Sequence, residues 1–288
     1  MDFGRLVTAM VTPFDEGGRI DWERTKALVD FLIDVQQTDA LVVSGTTGES
    51  PTLTDEEKLQ LFEFVVRHAA GRCKVLAGTG SNDTVHSVHL TKEAEKTGVD
   101  GLLLVTPYYN RPSQEGLYRH FKTIAEQTRL PVMLYNVPKR TGVSISAETT
   151  LRLAELPNVT AIKESSGDLA QIAKIIEGAP QGFLVYSGDD EFTLPIMAVG
   201  GHGVVSVASH VVGSQMKAMI DAFLAGNVDE SARLHRKLLP IFKGLFLFPS
   251  PAPVKYALQL HGQHVGGVRL PLADLNEEEK KVIRSLFE

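Results

Sequence analysis

The chain has 288 residues, of which 43% are hydrophobic and 22% are charged, and its formal net charge at pH 7 is -6. The acidic balance argues against a dedicated nucleic-acid-binding protein, which normally presents a basic face. The single cysteine, Cys73, excludes an internal disulfide and a multi-cysteine metal site.

The chain also lacks the sequence patterns of secretion and membrane insertion. Its first stretch, MDFGRLVTAMVTPFDEGG, does not show the charged-then-apolar order of a signal peptide. No window reaches the roughly 18 uninterrupted apolar residues of a membrane-spanning helix. A lone cysteine fits a reducing compartment. We therefore expect a cytoplasmic protein with no membrane partner and no nucleic-acid partner.

Eight short runs of apolar or β-branched residues recur along the chain. They are LVTAMVTPF from residue 6, ALVVSG from 40, KVLAGTG from 74, GLLLVTP from 101, PVMLYNVP from 131, VTAIKES from 159, FLVYSGDD from 183 and GVVSVAS from 203. Nearly continuous apolar runs are typical of parallel strands covered on both faces. The runs therefore predict eight parallel strands.

The segments between these runs carry the period and the start signals of helices. In TDEEKLQLFEFVVRHAAG, Thr54 is a predicted N-cap, and Glu57 three residues later completes a capping box. Eight strand-then-helix units predict an α/β fold of the (β/α)₈ TIM-barrel type. An open doubly wound sheet is the alternative, and the count of eight favours the barrel.

The pattern becomes purely helical from Asn227 onward, in VDESARLHRKLLPIFKGLF, SPAPVKYALQLHG and LADLNEEEKKVIRSLFE. Prolines 249, 251 and 253 punctuate the second of these stretches. We therefore predict a barrel over residues 1–225 and a C-terminal helical extension over 226–288. The absence of a low-complexity linker predicts that the extension packs on the barrel.

Lys163 ends the sixth predicted strand, where a barrel carries its reactive residues. Side chains alternate along a strand, so Ala161, Lys163 and Ser165 share one face while Ile162 faces the other way. If Ile162 packs against the outer helices, Lys163 faces the lumen. Removal from water favours the neutral, nucleophilic amine, which makes a lumenal lysine a Schiff-base candidate.

A structural role for Lys163 is the competing interpretation. The lysine would then pair with Glu164, Asp189 or Asp190, or extend along the strand end to reach solvent. Taken alone, the lysine favours this interpretation, because structural ion pairs also place lysines on strands. The residues at the other strand ends must decide between the two.

The stretch GTTGES, residues 45–50, follows the second strand. Its glycines and hydroxyls predict a concave anion site that suits a carboxylate, and the spacing of a phosphate-binding P-loop is absent. An ordinary turn with threonine and serine caps is the alternative. AGTGSND, residues 77–83, fails as a dinucleotide fingerprint because Asp83 replaces the third glycine, so we expect a turn that caps a helix.

Tyrosine and arginine residues follow the fourth and fifth strands. Tyr135 ends the fifth strand, and Tyr108 and Tyr109 follow the fourth. A phenol at a strand end can relay protons through a threonine hydroxyl, although an amphipathic rim residue is commoner. Arg140 has the planar fork that binds a carboxylate, with Lys139, Arg111 or a plain surface role as alternatives.

Metal and serine-hydrolase chemistry are not favoured by the motifs. No H-E-x-x-H occurs, and His86 with His89 forms an i, i+3 pair that lacks a third ligand, so both are predicted helix-surface residues. No G-x-S-x-G elbow is present either.

Four stretches in the same order, GTTGES, TPYYNRPSQEGLYRHF, LYNVPKRTG and AIKESSGD, strongly resemble the 4-hydroxy-tetrahydrodipicolinate synthase family, long called dihydrodipicolinate synthases. The resemblance covers nearly the whole chain. It implies a barrel with a C-terminal helical extension, a homotetramer built as a dimer of dimers, and no metal or dissociable cofactor. It also implies condensation of pyruvate with L-aspartate 4-semialdehyde through a lysine Schiff base, in lysine and diaminopimelate biosynthesis.

The resemblance assigns catalytic roles residue by residue. Lys163 matches the lysine that forms an imine with pyruvate, and Tyr135 matches the adjacent proton relay. Thr46 links that tyrosine to Tyr109, which in the family reaches the active site from the neighbouring subunit.

The same resemblance assigns substrate contacts. Thr47 and its loop match the holder of the pyruvate carboxylate, and Gly188 and Val205 line that site. Arg140 matches the fork for the carboxylate of L-aspartate 4-semialdehyde. The wider superfamily also contains N-acetylneuraminate lyase and sugar-acid aldolases, and Arg140 together with the paired tyrosines favours the synthase. A non-catalytic barrel that serves as a binding or scaffold protein is the alternative from another class.

One departure from the family bears on regulation. Members that lysine inhibits use a pocket at the dimer interface, and its residues match Ser50, Pro51, Asp55, Lys58, Asn82, His86 and Tyr108. His86 replaces an acid that binds the ammonium group of the inhibitor lysine, and Asp55 and Lys58 replace histidines. Loss of the acid removes an attraction and Lys58 adds a repulsion, so we expect weak or absent inhibition by lysine.

Overall fold

A computed structural model describes residues 1–288 as a closed barrel of eight strands in chain order. The strands are β1 (Leu6–Ala9), β2 (Ala40–Val43), β3 (Lys74–Gly78), β4 (Gly101–Val105), β5 (Val132–Asn136), β6 (Val159–Glu164), β7 (Leu184–Ser187) and β8 (Gly203–Ser206). Every neighbouring pair is parallel, including the closing pair of β1 and β8. The predicted barrel is confirmed, and each strand lies within its predicted run.

Helices connect and surround the strands. They are α1 (Trp22–Asp30), α2 (Asp55–Ala69), α3 (Thr84–Glu95), α4 (Gln114–Ala125), α5 (Pro138–Thr141), α6 (Ala147–Ala154), α7 (Leu169–Gly178), α8 (Thr193–Ala198), α9 (Ser209–Leu224), α10 (Val228–Gly244), α11 (Ala252–Leu260) and α12 (Glu277–Arg284). A π-helical turn, Phe31–Val35, extends α1. None of the helices combines the length and the apolarity needed to cross a bilayer.

Two helix starts follow the predicted signals. Thr54 caps α2, and its side chain and that of Glu57 form the reciprocal hydrogen bonds of a capping box. Asp83 caps α3 by accepting hydrogen bonds from the N–H groups of Val85 and His86. The capping prediction for AGTGSND is therefore confirmed.

The barrel has two apolar cores, one inside the strands and one between the strands and the helices. Ala161 belongs to the lumenal core, whereas Ile162 belongs to the outer core with the helices. Lys163 follows in alternation and faces the lumen, as expected from the period of a strand. The faces predicted for the sixth strand are confirmed.

The C-terminal helices pack on the barrel. α10 lies against α8 and α9, and α11 lies against α9 and α12. Ion pairs also join this region to the segment after β2, between Lys255 and Glu49 and between Arg269 and Glu57. Residue 225 lies in the turn between α9 and α10, and a division into two domains there stays a prediction.

Candidate active site

Lys163 lies near the carboxyl end of β6 with only 5% of its surface exposed. No carboxylate lies within 4.0 Å of its ammonium. Two of the acids considered as partners are engaged elsewhere. Glu164 accepts hydrogen bonds from the Asn136 amide and the Ser166 N–H, and Asp190 accepts two from the backbone after β8.

Tyr135 is the neighbour of Lys163 on the adjacent strand of the barrel. The two residues are paired in the register of β5 and β6. The Lys163 ammonium lies 4.3 Å from the centroid of the Tyr135 ring, within the range of a cation–π contact. The strand pairing therefore brings the predicted nucleophile and the predicted proton relay side by side.

Gly188 leaves room for the Lys163 side chain. A Cβ at this position would lie 1.9 Å from Ser165 Oγ and 3.0 Å from Cγ and Cε of Lys163. Any larger residue would displace the lysine stem or the serine. Val205 is fully buried and belongs to the same lumenal core as Tyr135. Gly188 thus lies against the lysine, and Val205 lies in the lumen of the barrel.

A cavity of about 250 Å³ opens beside Tyr135. Its volume is below the roughly 300 to 1,000 Å³ of pockets for drug-sized ligands, so it suits a small one. It is lined by six residues singled out in the sequence: Thr46, Ser50, Pro51, Tyr108, Tyr135 and Arg140. The structure does not bring Lys163, Thr47, Gly188 or Val205 to the wall of this cavity. Tyr135, which lines the cavity, contacts the Lys163 ammonium.

The turn after β2 is compact and tightly packed. The N–H groups of Gly48 and Glu49 donate to the carbonyls of Gly45 and Thr46, both at 3.1 Å. Gly78 makes the packing possible, since a Cβ there would lie 2.3 Å from the Ser44 carbonyl oxygen. The glycines of AGTGSND therefore serve close backbone approach, a reason that the sequence analysis missed.

The predicted relay is only partly assembled within one chain. Thr46 and Tyr135 both line the cavity, and no hydrogen bond joins them. Tyr109 is 90% exposed and has a φ of 73°, in the left-handed region. It does not line the cavity, whereas Tyr108 does. Supply of Tyr109 to a neighbouring subunit stays a prediction.

Arg140 is the cation that faces the cavity. It lies on α5, directly after β5, and its guanidinium makes no hydrogen bond to the protein. Of its two competitors, Arg111 donates a hydrogen bond from Nε to the Gly142 carbonyl at 3.0 Å. Lys139 is exposed and lies outside the cavity wall. The geometry favours Arg140 as the residue whose guanidinium binds a ligand carboxylate through paired hydrogen bonds.

The regulatory candidates form two groups. Asp55 lies 2.7 Å from His86 Nε2 and 3.4 Å from the Lys58 ammonium. Burial opposes ionisation of Asp55, but the hydrogen bond and charge of His86 and the charge of Lys58 hold its pKa below the usual value. In the second group, Asn82 donates to the Tyr108 carbonyl at 3.2 Å. The pairing of Asp55 with His86 was not predicted, because their helices meet only in the fold.

The three carboxyl groups considered as partners of Lys163 are shifted toward their neutral forms. Burial raises the pKa of Glu164 and of Asp190 despite their hydrogen bonds. Burial also raises the pKa of Asp189 to about 6, against the attraction of Lys139 and Lys163. No group of three His, Cys, Asp or Glu side chains is placed to hold a metal ion.

Comparison with known proteins adds an independent finding. The sequence model of the dihydrodipicolinate synthetase family matches residues 2–288. The 4-hydroxy-tetrahydrodipicolinate synthase of Bacillus velezensis is 60% identical over 100% of this chain and 99% of its own length. The crystal structure of a dihydrodipicolinate synthase from Bacillus anthracis superposes with a TM-score of 0.98 at 56% identity, covering 99% of this chain and 98% of that one. A synthase structure from Cyanidioschyzon merolae with lysine bound has a TM-score of 0.97 at 45% identity, covering 99% and 97%.

Proposed function

The chain belongs to the dihydrodipicolinate synthetase family, and we propose that it is a 4-hydroxy-tetrahydrodipicolinate synthase that works through Lys163. It condenses pyruvate with L-aspartate 4-semialdehyde to give 4-hydroxy-tetrahydrodipicolinate, a step of lysine and diaminopimelate biosynthesis. The observation that carries the residue assignment is a buried lysine without a carboxylate partner, in contact with Tyr135 at the edge of a small cavity.

The reaction begins with attack of the neutral Lys163 amine on the keto carbon of pyruvate. Loss of water leaves a protonated imine, which withdraws electrons so that the pyruvate methyl group loses a proton and becomes an enamine carbon. That carbon attacks the aldehyde. The amino group of the second substrate then displaces the lysine amine, which closes the ring and frees the enzyme. Tyr135 supplies and removes protons along this route.

The turn at 45–50 and Arg140 hold the two carboxylates. We assign the pyruvate carboxylate to Thr47 and the backbone N–H groups of Thr46 and Thr47, which donate to no carbonyl of the turn, with Gly188 and Val205 beside the bound pyruvate. The free guanidinium of Arg140 forms paired hydrogen bonds with the carboxylate of the aldehyde substrate. Thr46 extends the proton relay from Tyr135 toward Tyr109 of a neighbouring subunit.

The exposed Tyr109 links catalysis to the association of subunits, because it is assigned to the active site of a neighbouring chain. Its position on the surface of one chain suits insertion into the site of another. We propose a homotetramer built as a dimer of dimers, located in the cytoplasm, in which each site is completed across an interface.

Inhibition by lysine is proposed to be weak or absent. Asp55 is the acid present among the regulatory candidates, and His86 and Lys58 already engage its carboxylate. A ligand ammonium would have to displace a cation from it. Half-maximal inhibition at low millimolar lysine or below would contradict this proposal.

Borohydride reduction in the presence of pyruvate tests the assignment directly. We expect an irreversible adduct on the peptide that contains Lys163, found by mass mapping, and none in the Lys163→Met variant. No adduct on the unchanged chain would overturn the proposed function. A coupled assay that offers either L-aspartate 4-semialdehyde or N-acetylneuraminate separates the synthase from a sugar-acid lyase.

A further inference from the structure

The turn at 45–50 is held from outside the cavity by a buried ion pair. Lys255, on α11, is 3% exposed, and Glu49, in the turn, is 2% exposed. The Lys255 ammonium lies 2.7 Å from Glu49 Oε1 and donates to the Gly267 carbonyl at 2.6 Å. The other carboxylate oxygen, Oε2, accepts the backbone N–H of Arg269 at 2.8 Å. The C-terminal segment therefore engages both oxygens of Glu49.

A second contact holds the end of the same turn. The Arg269 guanidinium donates to the Thr52 carbonyl at 2.7 Å and pairs with the Glu57 carboxylate at 2.5 Å. The ring of Phe14 contacts both cations, with its centroid 4.3 Å from the Lys255 ammonium and 4.5 Å from the Arg269 guanidinium carbon. Two cations from the C-terminal extension thus fix the turn and the start of α2.

Stability alone does not account for this pair. Burial of two charges costs several kcal/mol per ion, and an apolar pair of similar volume is often as stable or more so. Glu49 also has a φ of 58°, a left-handed conformation that is unusual for a residue with a side chain. Such a conformation persists where the surroundings hold it, and it is common at functional sites. The contacts of the Glu49 carboxylate with Lys255 and Arg269 hold the turn in this conformation.

We propose that Lys255 is a positioning residue for pyruvate. Through Glu49 it holds the backbone of residues 45–50 in the shape that receives the pyruvate carboxylate. The Lys255 ammonium contacts Glu49, the Gly267 carbonyl and the Phe14 ring, so we assign it an effect on the substrate through the turn. The inference rests on the proposed function, because it takes pyruvate as the ligand of the turn. The C-terminal extension thereby becomes part of the substrate-binding machinery.

The test compares Lys255→Met with the unchanged enzyme by borohydride trapping at increasing pyruvate concentrations. Methionine keeps the length of the buried stem and removes the charge. We expect the pyruvate concentration for half-maximal adduct on Lys163 to rise about tenfold or more, with the KM for L-aspartate 4-semialdehyde within about twofold. A merely structural role would lower the amount of active enzyme and leave half-saturation unchanged. Lys255→Arg, which keeps the charge, should recover most of the pyruvate affinity.

Two further variants keep the outcome decisive. Glu49→Gln retains an acceptor for the Arg269 N–H and removes the charge, so it should raise the pyruvate requirement in the same direction if Lys255→Met does not fold. Lys174→Met removes an exposed ion pair with Glu148 and should change nothing. If Lys255→Met or Glu49→Gln folds and its pyruvate dependence is unchanged, the inference is wrong, and the proposed function still stands. No adduct on the unchanged enzyme overturns the proposed function and, with it, the assignment of pyruvate to the turn.

Discussion

Three lysines are buried in this chain, Lys58, Lys163 and Lys255, and the surroundings of the last two differ in one respect. Lys163 is 5% exposed and Lys255 is 3% exposed, and each ammonium lies 4.3 Å from the centroid of an aromatic ring. Lys255 has the Glu49 carboxylate at 2.7 Å, whereas Lys163 has no carboxylate within 4.0 Å. Burial and aromatic contact are therefore common to both, and the missing anion distinguishes the lysine that we assign to chemistry.

The acids around Lys163 explain why it has no partner. Glu164 directs both oxygens to amide donors and Asp190 directs one, Oδ2, and burial raises the pKa of each. Around Lys255 the balance is different, because burial lowers the pKa of its ammonium while Glu49 opposes the shift. Lys255 thus has a carboxylate partner, whereas Lys163 has none.

Removal of the Lys163 amine should have the largest effect on activity. We expect Lys163→Met to lose at least about 10⁴-fold in kcat, as when a covalent nucleophile is removed. Lys174→Met should retain full activity. The coupled assay with both substrates measures the difference, and a Lys163→Met enzyme that retains one per cent of the activity would refute covalent catalysis by this residue.

The effects of the two lysine substitutions on the free energy of unfolding should have the opposite order, with the larger loss at Lys255. Lys255→Met leaves Glu49 buried without its cation and should lower the free energy of unfolding by about 3 to 5 kcal/mol. Lys163→Met breaks no ion pair and should change it by less than about 1 kcal/mol. Urea unfolding at matched protein concentrations provides the comparison. Equal losses would mean that Lys163 also has a structural partner.

Arg140 is a second cation without a protein partner, and its loss should affect one substrate only. We expect Arg140→Ala to lower kcat/KM for L-aspartate 4-semialdehyde about 100-fold, because a charge-assisted fork to its carboxylate is lost. The pyruvate dependence of adduct formation on Lys163 should stay within about twofold. If both measurements fall together, the carboxylate assigned to Arg140 is the wrong one.

Asp189 provides the smallest test, and both Lys139 and Lys163 attract its carboxylate. Its pKa is about 6 instead of 3.8, so the folded chain keeps a proton that the unfolded chain has lost. The contribution of Asp189 to the free energy of unfolding therefore falls as pH rises from about 4 to about 6. Asp189→Asn cannot ionise, and we expect it to be more stable than the unchanged chain at pH 7 by about 1 to 2 kcal/mol, after allowance for partial exposure.

Chemical denaturation at pH 4 and at pH 7 checks this prediction, and the gain should be absent at the lower pH. A variant less stable than the unchanged chain at pH 7 would mean that Asp189 serves Lys163 as Glu49 serves Lys255.

Local sequence was enough to predict the barrel and the orientation of Lys163. Each strand lies in a nearly continuous apolar run, and strict alternation fixes the face of every residue in β6 once Ile162 is assigned to the helices. The capping box of Thr54 and Glu57 spans three residues and is equally local. These features depend on neighbours in the chain, which a sequence displays directly.

The rest of the site depends on partners that are distant in the chain. Nothing beside Glu49 in GTTGES indicates that Lys255 and Arg269 will meet it. The need for glycine at Gly78 likewise arises from the carbonyl of Ser44 on another strand's turn. Such contacts exist only after the barrel closes, so neither period nor spacing predicts them.

The Glu49 contact also has a consequence for the order in which the protein matures during synthesis. Its partner Arg269 follows 220 residues later. At roughly 5 to 20 residues per second, the turn leaves the ribosome roughly 10 to 40 seconds before Arg269 does. A nascent barrel can pair its eight strands during that interval, but the turn that we assign to pyruvate gains its Arg269 contact only when translation is nearly complete.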